Sequence, residues 1–337
     1  MTIKDIAKLA GVSPSTVSRI LNDTSNSFAK AETRDKVWRL VRTYGYVPNA
    51  AARNLKSSCV SVAGAQLACF MSHTRNPEDN PFFYEMVRSI EQAASQCGFT
   101  VPFCFTKFNL QSTALLNRIK GINVDGAIVV GRFEDPEDVT FLHKRYRNIV
   151  YSGLSFTDFE MDQVVCDGYA AATAAMQYLI SCGHRRIGYI GSGRGERRFR
   201  AYQSVMREEG LPIPPSYVFF CEYDSFSGYQ ATEQFLEKNP ELPSAIFCAN
   251  DNTAIAAIRC LHEHGFRVPR DISVISVDDI SPSGLITPAL TTVHVPIAEM
   301  GQQVIRTLES RLKKHHSIPL KIELPYKLLI RESVRSL

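Results

Sequence analysis

The sequence predicts a small all-α helix-turn-helix head followed by an α/β core of two doubly wound parallel-sheet lobes. Three observations carry this. Residues 1–58 hold ten Lys/Arg and four acids, so a formal +6 sits in the first sixth of a chain whose total is only +4. Residues 2–22 carry the cap and turn residues of two short helices. From about residue 59, apolar strands alternate with amphipathic helices in two successive series.

The 337 residues are 45% hydrophobic and 21% charged, which suits two or three domains with ample cores and excludes a disordered chain. No apolar run approaches the roughly 20 residues that cross a bilayer, and charges stand in MTIKDIAKLAGVSPS where a secretory signal would be oily. A cytoplasmic chain without a membrane partner is expected. The nine cysteines (59, 69, 97, 104, 166, 182, 221, 248 and 260) form no CxxC pair. Several lie in apolar runs such as AIFCAN and VPFCF, so they read as small buried hydrophobes in a reducing compartment, with neither zinc nor disulfides.

In the head, Thr2 caps a first helix with Asp5 three residues on, and Ile3, Ile6, Ala7 and Ala10 share one face. Gly11 ends it. Ser13 then caps a second helix, Pro14 suits its first position because the missing N–H would be unpaired there, and Val17, Ile20 and Leu21 continue the apolar stripe. Ala7, Gly11 and Val17 have helix-turn-helix spacing: a small residue for close approach, a glycine for the sharp turn and a β-branched residue packing back. A third helix over 31–44 offers Val37, Leu40 and Val41 to the same small core, with Trp38 flanking it. Pro48 breaks that helix, and Asn49 can cap a short Ala-rich segment through Leu55, too short to be stable until something docks on it.

A basic head of this kind fits double-stranded DNA. The second helix would enter the major groove with Ser15, Thr16, Ser18 and Arg19 toward the bases; Arg19 can fork onto guanine, while Ser13, Thr16 and Ser18 hold phosphates. In the core, strands are expected near 60–67, 100–105, 125–130 and 148–152, with helices near 82–97, 110–120 and 136–145. The second series has strands near 186–191, 217–221, 244–248 and 273–277, and helices near 167–182, 197–209, 228–238 and 250–264. Ligands in such sheets sit outside the carboxyl ends of the strands, so two facing lobes make a cleft.

TIKDIAKLAGVSPSTVSRILN (2–22), TRDKV (33–37) and GYVPNAAARNL (45–55) resemble the head of a LacI/GalR-family transcriptional regulator. NPFF (80–83), VDGAIVV (124–130), GHRRIGYIG (183–191), the 245–280 stretch from AIFCAND to VDDI, PALTTVHVP (288–296) and LLIRES (328–333) match that family's signatures in order, over nearly the whole chain. The resemblance implies a DNA-binding domain over 1–46, a hinge helix over 47–58 and an effector-binding, dimerising core over 59–337 of periplasmic-binding-protein-like type. Lobe one would be about 59–162 and 294–319, and lobe two about 163–293 and 320–337. It implies a homodimer on a pseudo-palindromic operator, with Leu55 wedged into the central minor groove, Ala51 and Ala52 letting hinge helices approach, and Asn49 and Arg53 on groove edges or phosphates. Thr2, Asn22 and Tyr46 complete the DNA-facing set. Dimerisation would use the 82–97 helix, and a tetramer made by a C-terminal coiled coil is not expected.

The same resemblance implies a small sugar effector, held by Arg198, Asn250 and Asp278, stacked on Tyr223 and walled in lobe one by Phe82 and Tyr84. Planar bidentate groups suit vicinal hydroxyls, and a ring suits a sugar's apolar face. Two departures stand out: Ser152 replaces an Asp common among relatives, and Val295 replaces a common Gln. Both remove polar reach, so the effector differs from that of the best-known members or is held from elsewhere, for example Asp167. The SFAKAETR entry to the third helix, VVGRF, NPFF and ISVDDI resemble the branch regulating galactoside use.

GSGRGERR (191–198) lacks full GxGxxG spacing and a suitably placed acid, so it is not read as a dinucleotide loop. Arg194, Arg197, Arg198 and Arg200 could instead greet a phosphorylated sugar. His262 and His264 lie two apart on a helix and cannot chelate together. No catalytic constellation emerges, and neither enzyme activity nor a cofactor is expected. The alternatives are a cytoplasmic sugar-binding protein without gene control and a corepressor- or phosphosugar-dependent regulator.

Overall fold

The structure is a computed structural model and describes residues 3–22, 29–44, 64–71, 80–106, 113–133, 135–193, 195–239 and 241–337. The chain divides into two compact units, Met1–Ser61 and Val62–Leu337.

The first unit contains α1 (Ile3–Ala10), α2 (Pro14–Asn22) and α3 (Ala31–Thr43). Gly11 takes a φ of +73°, a left-handed turn that a side chain would strain, and Val12 N–H donates to the Ala7 carbonyl at 3.0 Å. The chain thus reverses within three residues. Ile6, Ala7, Ala10, Val17, Ile20 and Val37 are buried together, which is the apolar stripe the sequence predicts, closed by α3. Trp38, expected beside that core, is 38% exposed on α3, and the partly buried residues packed on the core are Ile3, Val12, Leu21, Ala29, Leu40 and Val41 instead. The expected hinge helix over 47–58 lies outside the described residues.

In the second unit, strands and helices alternate as β1 (Gln66–Met71), α4 (Pro81–Gln96), β2 (Thr100–Phe105), α5 (Thr113–Lys120), β3 (Gly126–Val130), α6 (Pro136–Arg145), β4 (Ile149–Gly153) and β5 (Asp162–Val165). They continue as α7 (Gly168–Ser181), β6 (Ile187–Gly191), α8 (Arg197–Glu208), β7 (Val218–Phe220), α9 (Ser225–Lys238), β8 (Ala245–Cys248), α10 (Asp251–Glu263) and β9 (Ser273–Asp278). The unit closes with β10 (Thr291–His294), α11 (Ile297–Leu312), β11 (Lys321–Glu323) and β12 (Lys327–Leu329).

Two six-stranded sheets result. Lobe one has the order β11-β5-β4-β3-β1-β2 and lobe two β12-β10-β9-β8-β6-β7, all parallel except the antiparallel β10–β12 pair. Inner strands are apolar on both faces because helices cover both. On β1, Leu67, Cys69 and Met71 join one buried cluster while Ala68 and Phe70 join another. Among the described residues no helix is long and apolar enough to cross a membrane.

Four expectations are corrected. The first strand is not 60–67; among the described residues it runs Gln66–Met71, and residues 60–63 lie outside them. The lobe crossings fall between β5 and α7, between β10 and α11 and between β11 and β12, so residues 163–165 and 321–323 belong to lobe one rather than lobe two. The cause lies far along the chain: Asp162 at the head of β5 accepts from Leu320 N–H just before β11, 158 residues on, which locks both strands into that sheet. Cys104 is exposed, not buried, because β2 is the edge of its sheet. Finally, α11 and the short strands β5, β10, β11 and β12 add to the expected elements.

Candidate functional site

The exposed end of the head is built by one cap. Ser13 Oγ accepts the Thr16 N–H at 3.1 Å and lies 2.7 Å from Ser15 Oγ and 2.8 Å from Thr16 Oγ1. Three hydroxyls therefore cluster at the N-terminal turn of α2, where the helix dipole favours a phosphate. Arg19 is exposed two turns along, while Val17 and Ile20 face inward, so the polar residues expected to meet DNA share the outward side. Ser18 is half-buried between these faces. Thr2, Tyr46, Asn49, Ala52, Arg53 and Leu55 lie outside the described residues, and the side chain of Asn22 is not described either.

In the core, four of the six expected effector residues meet at the carboxyl ends of the lobe-two strands. Arg198 starts α8, just after β6, and is 6% exposed. Its Nε donates to Glu196 Oε1 at 2.9 Å, its Nη1 lies 3.6 Å from Asp278 Oδ1, and its guanidinium sits 5.1 Å from the centre of the Tyr223 ring. Asn250 caps α10 by accepting Thr253 N–H and donates from Nδ2 to the Tyr223 carbonyl at 3.3 Å. Phe82 is buried on α4, edge-on to Phe83 with centroids 5.5 Å apart. Tyr84, expected as a wall, is 61% exposed because it follows Phe82 and Phe83 round to the outer side of the helix.

The charges in this cluster are strongly perturbed. Burial would pull the Arg198 guanidinium toward neutrality, but Glu196, Tyr223 and Asp278 hold it charged. Burial pushes the Asp278 carboxyl well above the usual carboxylate range; Arg198 opposes this, while Asp251, Glu196 and Glu85 add to it. Asp278 Oδ1 is buried without a hydrogen-bond partner, and its φ of +132° is one that L-residues rarely adopt. An unsatisfied carboxyl on a strained backbone at a strand end is the kind of group a ligand completes.

Sequence reading missed the residues that hold this arrangement. Glu196 orients Arg198 with one oxygen and caps Phe199 N–H with the other. Asp251 is fully buried and accepts from Ser276 Oγ, Ser283 Oγ, Thr292 Oγ1 and Ile280 N–H, at 2.5 to 3.0 Å. It thereby fixes the segment after Asp278. An acid directly after Asn250, following the buried run AIFC, was the available signal.

The remaining candidates separate clearly. Arg197 pairs with Asp167 at 3.4 Å and Arg200 is exposed on α8; Arg194 lies outside the described residues. Asp167 itself caps Tyr169 N–H at the start of α7. Ser152 is fully buried, its Oγ without a partner, and Val295 is buried. His262 and His264 are both exposed, and among the described residues no cluster of His, Cys, Asp and Glu could hold a metal. LLIRES proves structural: Arg331 donates to the Leu290 carbonyl and Asp279, and Ser333 bridges Val274 and Thr291.

Residues 2–49 match the profile of the bacterial regulatory proteins of the lacI family, and residues 176–334 match a periplasmic binding protein-like domain. The HTH-type transcriptional repressor PurR of Photorhabdus laumondii is 33% identical over 345 residues, spanning 99% of this chain and 96% of that protein; its Escherichia coli counterpart is 32% identical over the same shares. Among solved structures, the complex of the transcriptional regulator CelR with cellobiose superposes with a TM-score of 0.71 at 26% identity, covering 99% of both chains. The lac repressor dimer bound to operator and the anti-inducer ONPF shares the fold, with a TM-score of 0.76 at 24% identity and 99% of both chains covered. These relatives are regulators rather than enzymes. With a helix-turn-helix head, a two-lobed core and relatives matched along its length, the chain belongs to the lacI family of bacterial regulatory proteins.

Proposed function

We propose that this regulator is a cytoplasmic homodimeric repressor of a pseudo-palindromic operator, and that a small neutral sugar, galactoside-like in class, switches its DNA affinity from the Arg198–Tyr223–Asn250–Asp278 cluster. The observation that carries the effector class is the pairing of Arg198. Its charge is already met by Glu196 at 2.9 Å and Asp278 at 3.6 Å, so the cluster has no spare positive charge for a phosphate or carboxylate. What it offers is an unsatisfied carboxyl oxygen, a carboxamide and an aromatic face, which suit hydroxyls on an uncharged ring. The cellobiose bound by the CelR relative is a neutral sugar of that kind.

Three hydroxyls and Arg19 on the outward turn of α2 support operator contact, with backbone anchoring by Ser13 and Thr16 and base reading by Arg19. The hinge would complete the grip through Asn49, Arg53 and Leu55 in the minor groove. Effector can act only by binding one arrangement of the lobes better than the other, since equal affinity would shift nothing. A second reading, a flat nitrogen heterocycle, rests on the Arg198–Tyr223 stack and on the Asn250 carboxamide, which can both donate and accept along a ring edge.

Fluorescence anisotropy of the full chain on DNA from its own gene neighbourhood tests these readings. The panel holds galactosides, other neutral sugars, sugar phosphates and purine bases at fixed salt. A neutral sugar should change the apparent affinity, and Arg198→Met should abolish the response while leaving effector-free DNA binding within about twofold. Response to sugar phosphates alone defeats the neutral-sugar reading; response to purine bases selects the second. No selective DNA binding under any condition defeats the repressor proposal itself.

A further inference from the structure

The segment from Asp278 to Gly284 carries the effector cluster's carboxyl at one end and is held from several directions. Asp279 is bonded by His294 and Arg331, and Ile280 N–H and Ser283 Oγ are bonded to Asp251, all within lobe two. Ser281 is different. Its N–H and its Oγ both donate to one oxygen of Glu85, at 3.1 and 2.8 Å, and Glu85 belongs to α4 in lobe one. Glu85 is half-buried, and its side chain also borders the groove between α4 and α11. The contact therefore spans the two lobes three residues from Asp278.

We propose that Glu85 is the positioning residue through which lobe one sets the effector-contact segment, gripping Ser281 when the lobes are together and presenting its negative charge to Asp278. The assignment rests on Asp278 being an effector residue, but its physical content does not need the effector. Parting the lobes removes the acceptor from two Ser281 donors and a negative neighbour from Asp278 in one movement. Losing that neighbour makes the Asp278 proton easier to release, so lobe separation and proton release are linked. The groups that face Asp278 are Arg198 and Glu196 from α8, Asp251 from α10, Glu85 from α4 and Cys166 from the crossing into α7; of these, Glu85 and Cys166 come from outside lobe two's own elements. Asp251 and Glu196 remain beside Asp278 whatever the lobes do, because both are anchored within lobe two.

The test uses the full chain labelled with carbon-13 at aspartate carboxyls, with the Asp278 signal assigned by Asp278→Asn. Glu85→Gln keeps an acceptor for Ser281 and removes only the charge; it should lower the Asp278 titration midpoint by roughly half a pH unit. The Asp162 signal, which belongs to a separate network in lobe one, serves as the unmoved control. Glu85→Ala removes the acceptor as well and should speed hydrogen exchange of the Ser281 amide about tenfold, the consequence of one lost charge-assisted bond. An Asp278 midpoint that stays put in Glu85→Gln, or a Ser281 exchange rate that stays put in Glu85→Ala, overturns the proposal. Neither readout involves a sugar or DNA, so failure here is distinct from failure of the effector assignment.

Discussion

Asp162 in lobe one and Asp251 in lobe two are both completely shielded from solvent, yet their proton affinities move in opposite directions. Burial raises a carboxyl's pKa in each case, and the partners decide the outcome. Asp162 accepts from Arg311 at Nε and, at 2.7 Å, Nη2, from His316 Nε2 and from Leu320 N–H, so a full cation overcomes the burial and its pKa falls below 3.8. Asp251 has as many donors, but all are hydroxyls or an amide, and burial wins: its pKa rises to about 6. The difference maps onto place in the fold. Asp162 heads β5 at the amino end of its sheet, pinning strands together, whereas Asp251 sits where lobe two's strands end and the proposed effector cluster begins. Electrostatic tension is concentrated at the end where a ligand can relieve it.

The largest test of this contrast is to delete the paired acid. Asp162→Ala leaves the half-buried Arg311 without its counter-ion and takes an acceptor from His316 and from Leu320 N–H, so the core should lose about 3–5 kcal/mol. Urea unfolding followed by far-UV circular dichroism measures it. A loss below about 1 kcal/mol would show that the pair is no stronger than a surface ion pair.

A smaller effect separates the two acids by pH. Asp251 has a folded pKa of about 6 against 3.8 unfolded, so its favourable contribution is complete below 3.8 and is lost as pH rises to about 6. Asp162 has the opposite sign: its contribution is present above 3.8 and is lost as pH falls below that value. Lowering the pH from about 7 to about 4 should therefore stabilise the core through Asp251 by up to about 3 kcal/mol and leave the Asp162 contribution nearly intact. In Asp251→Asn that acid-side gain should shrink to the part that Asp278 supplies, since burial raises that carboxyl too, while in Asp162→Asn it should persist in full. Denaturant curves at stepped pH read both, and a gain undiminished in Asp251→Asn would assign all of it to other groups.

How much of the molecule is legible in its sequence depends on how local each cause is. The turn at Gly11, the cap at Ser13 and the apolar runs of β3, β4 and β8 are set by neighbouring residues, and they form as the sequence predicts. Arg198, Tyr223, Asn250 and Asp278 were reached only through family resemblance, since nothing in a single chain says that residues 80 apart converge. Glu85, Glu196 and Asp251 escaped notice because each acts on a partner, and Glu85 lies 196 positions from Ser281. The lobe crossings were misplaced for the same reason: β11 has three residues and no apolar run, and its place depends on Asp162 reaching the chain 158 residues later.

The finest discrimination between the lobes comes from Ser152, at the carboxyl end of β4, where lobe one carries an uncharged group. Its hydroxyl is buried without a partner, and such a group costs stability because it left water without replacement bonds. Ser152→Ala removes that cost and little else, so the core should gain up to about 1 kcal/mol. Were the hydroxyl only a packing accident, effector response would survive the change. If instead lobe one presents Ser152 to the effector, as its strand-end position suggests, the same variant should be more stable and several-fold weaker in effector response. Thermal unfolding and the DNA-binding assay on one protein read both quantities. Stability and response falling together would mean that the hydroxyl already has a partner within the fold, and the contrast between a satisfied lobe-one scaffold and an unsatisfied site would have to be redrawn.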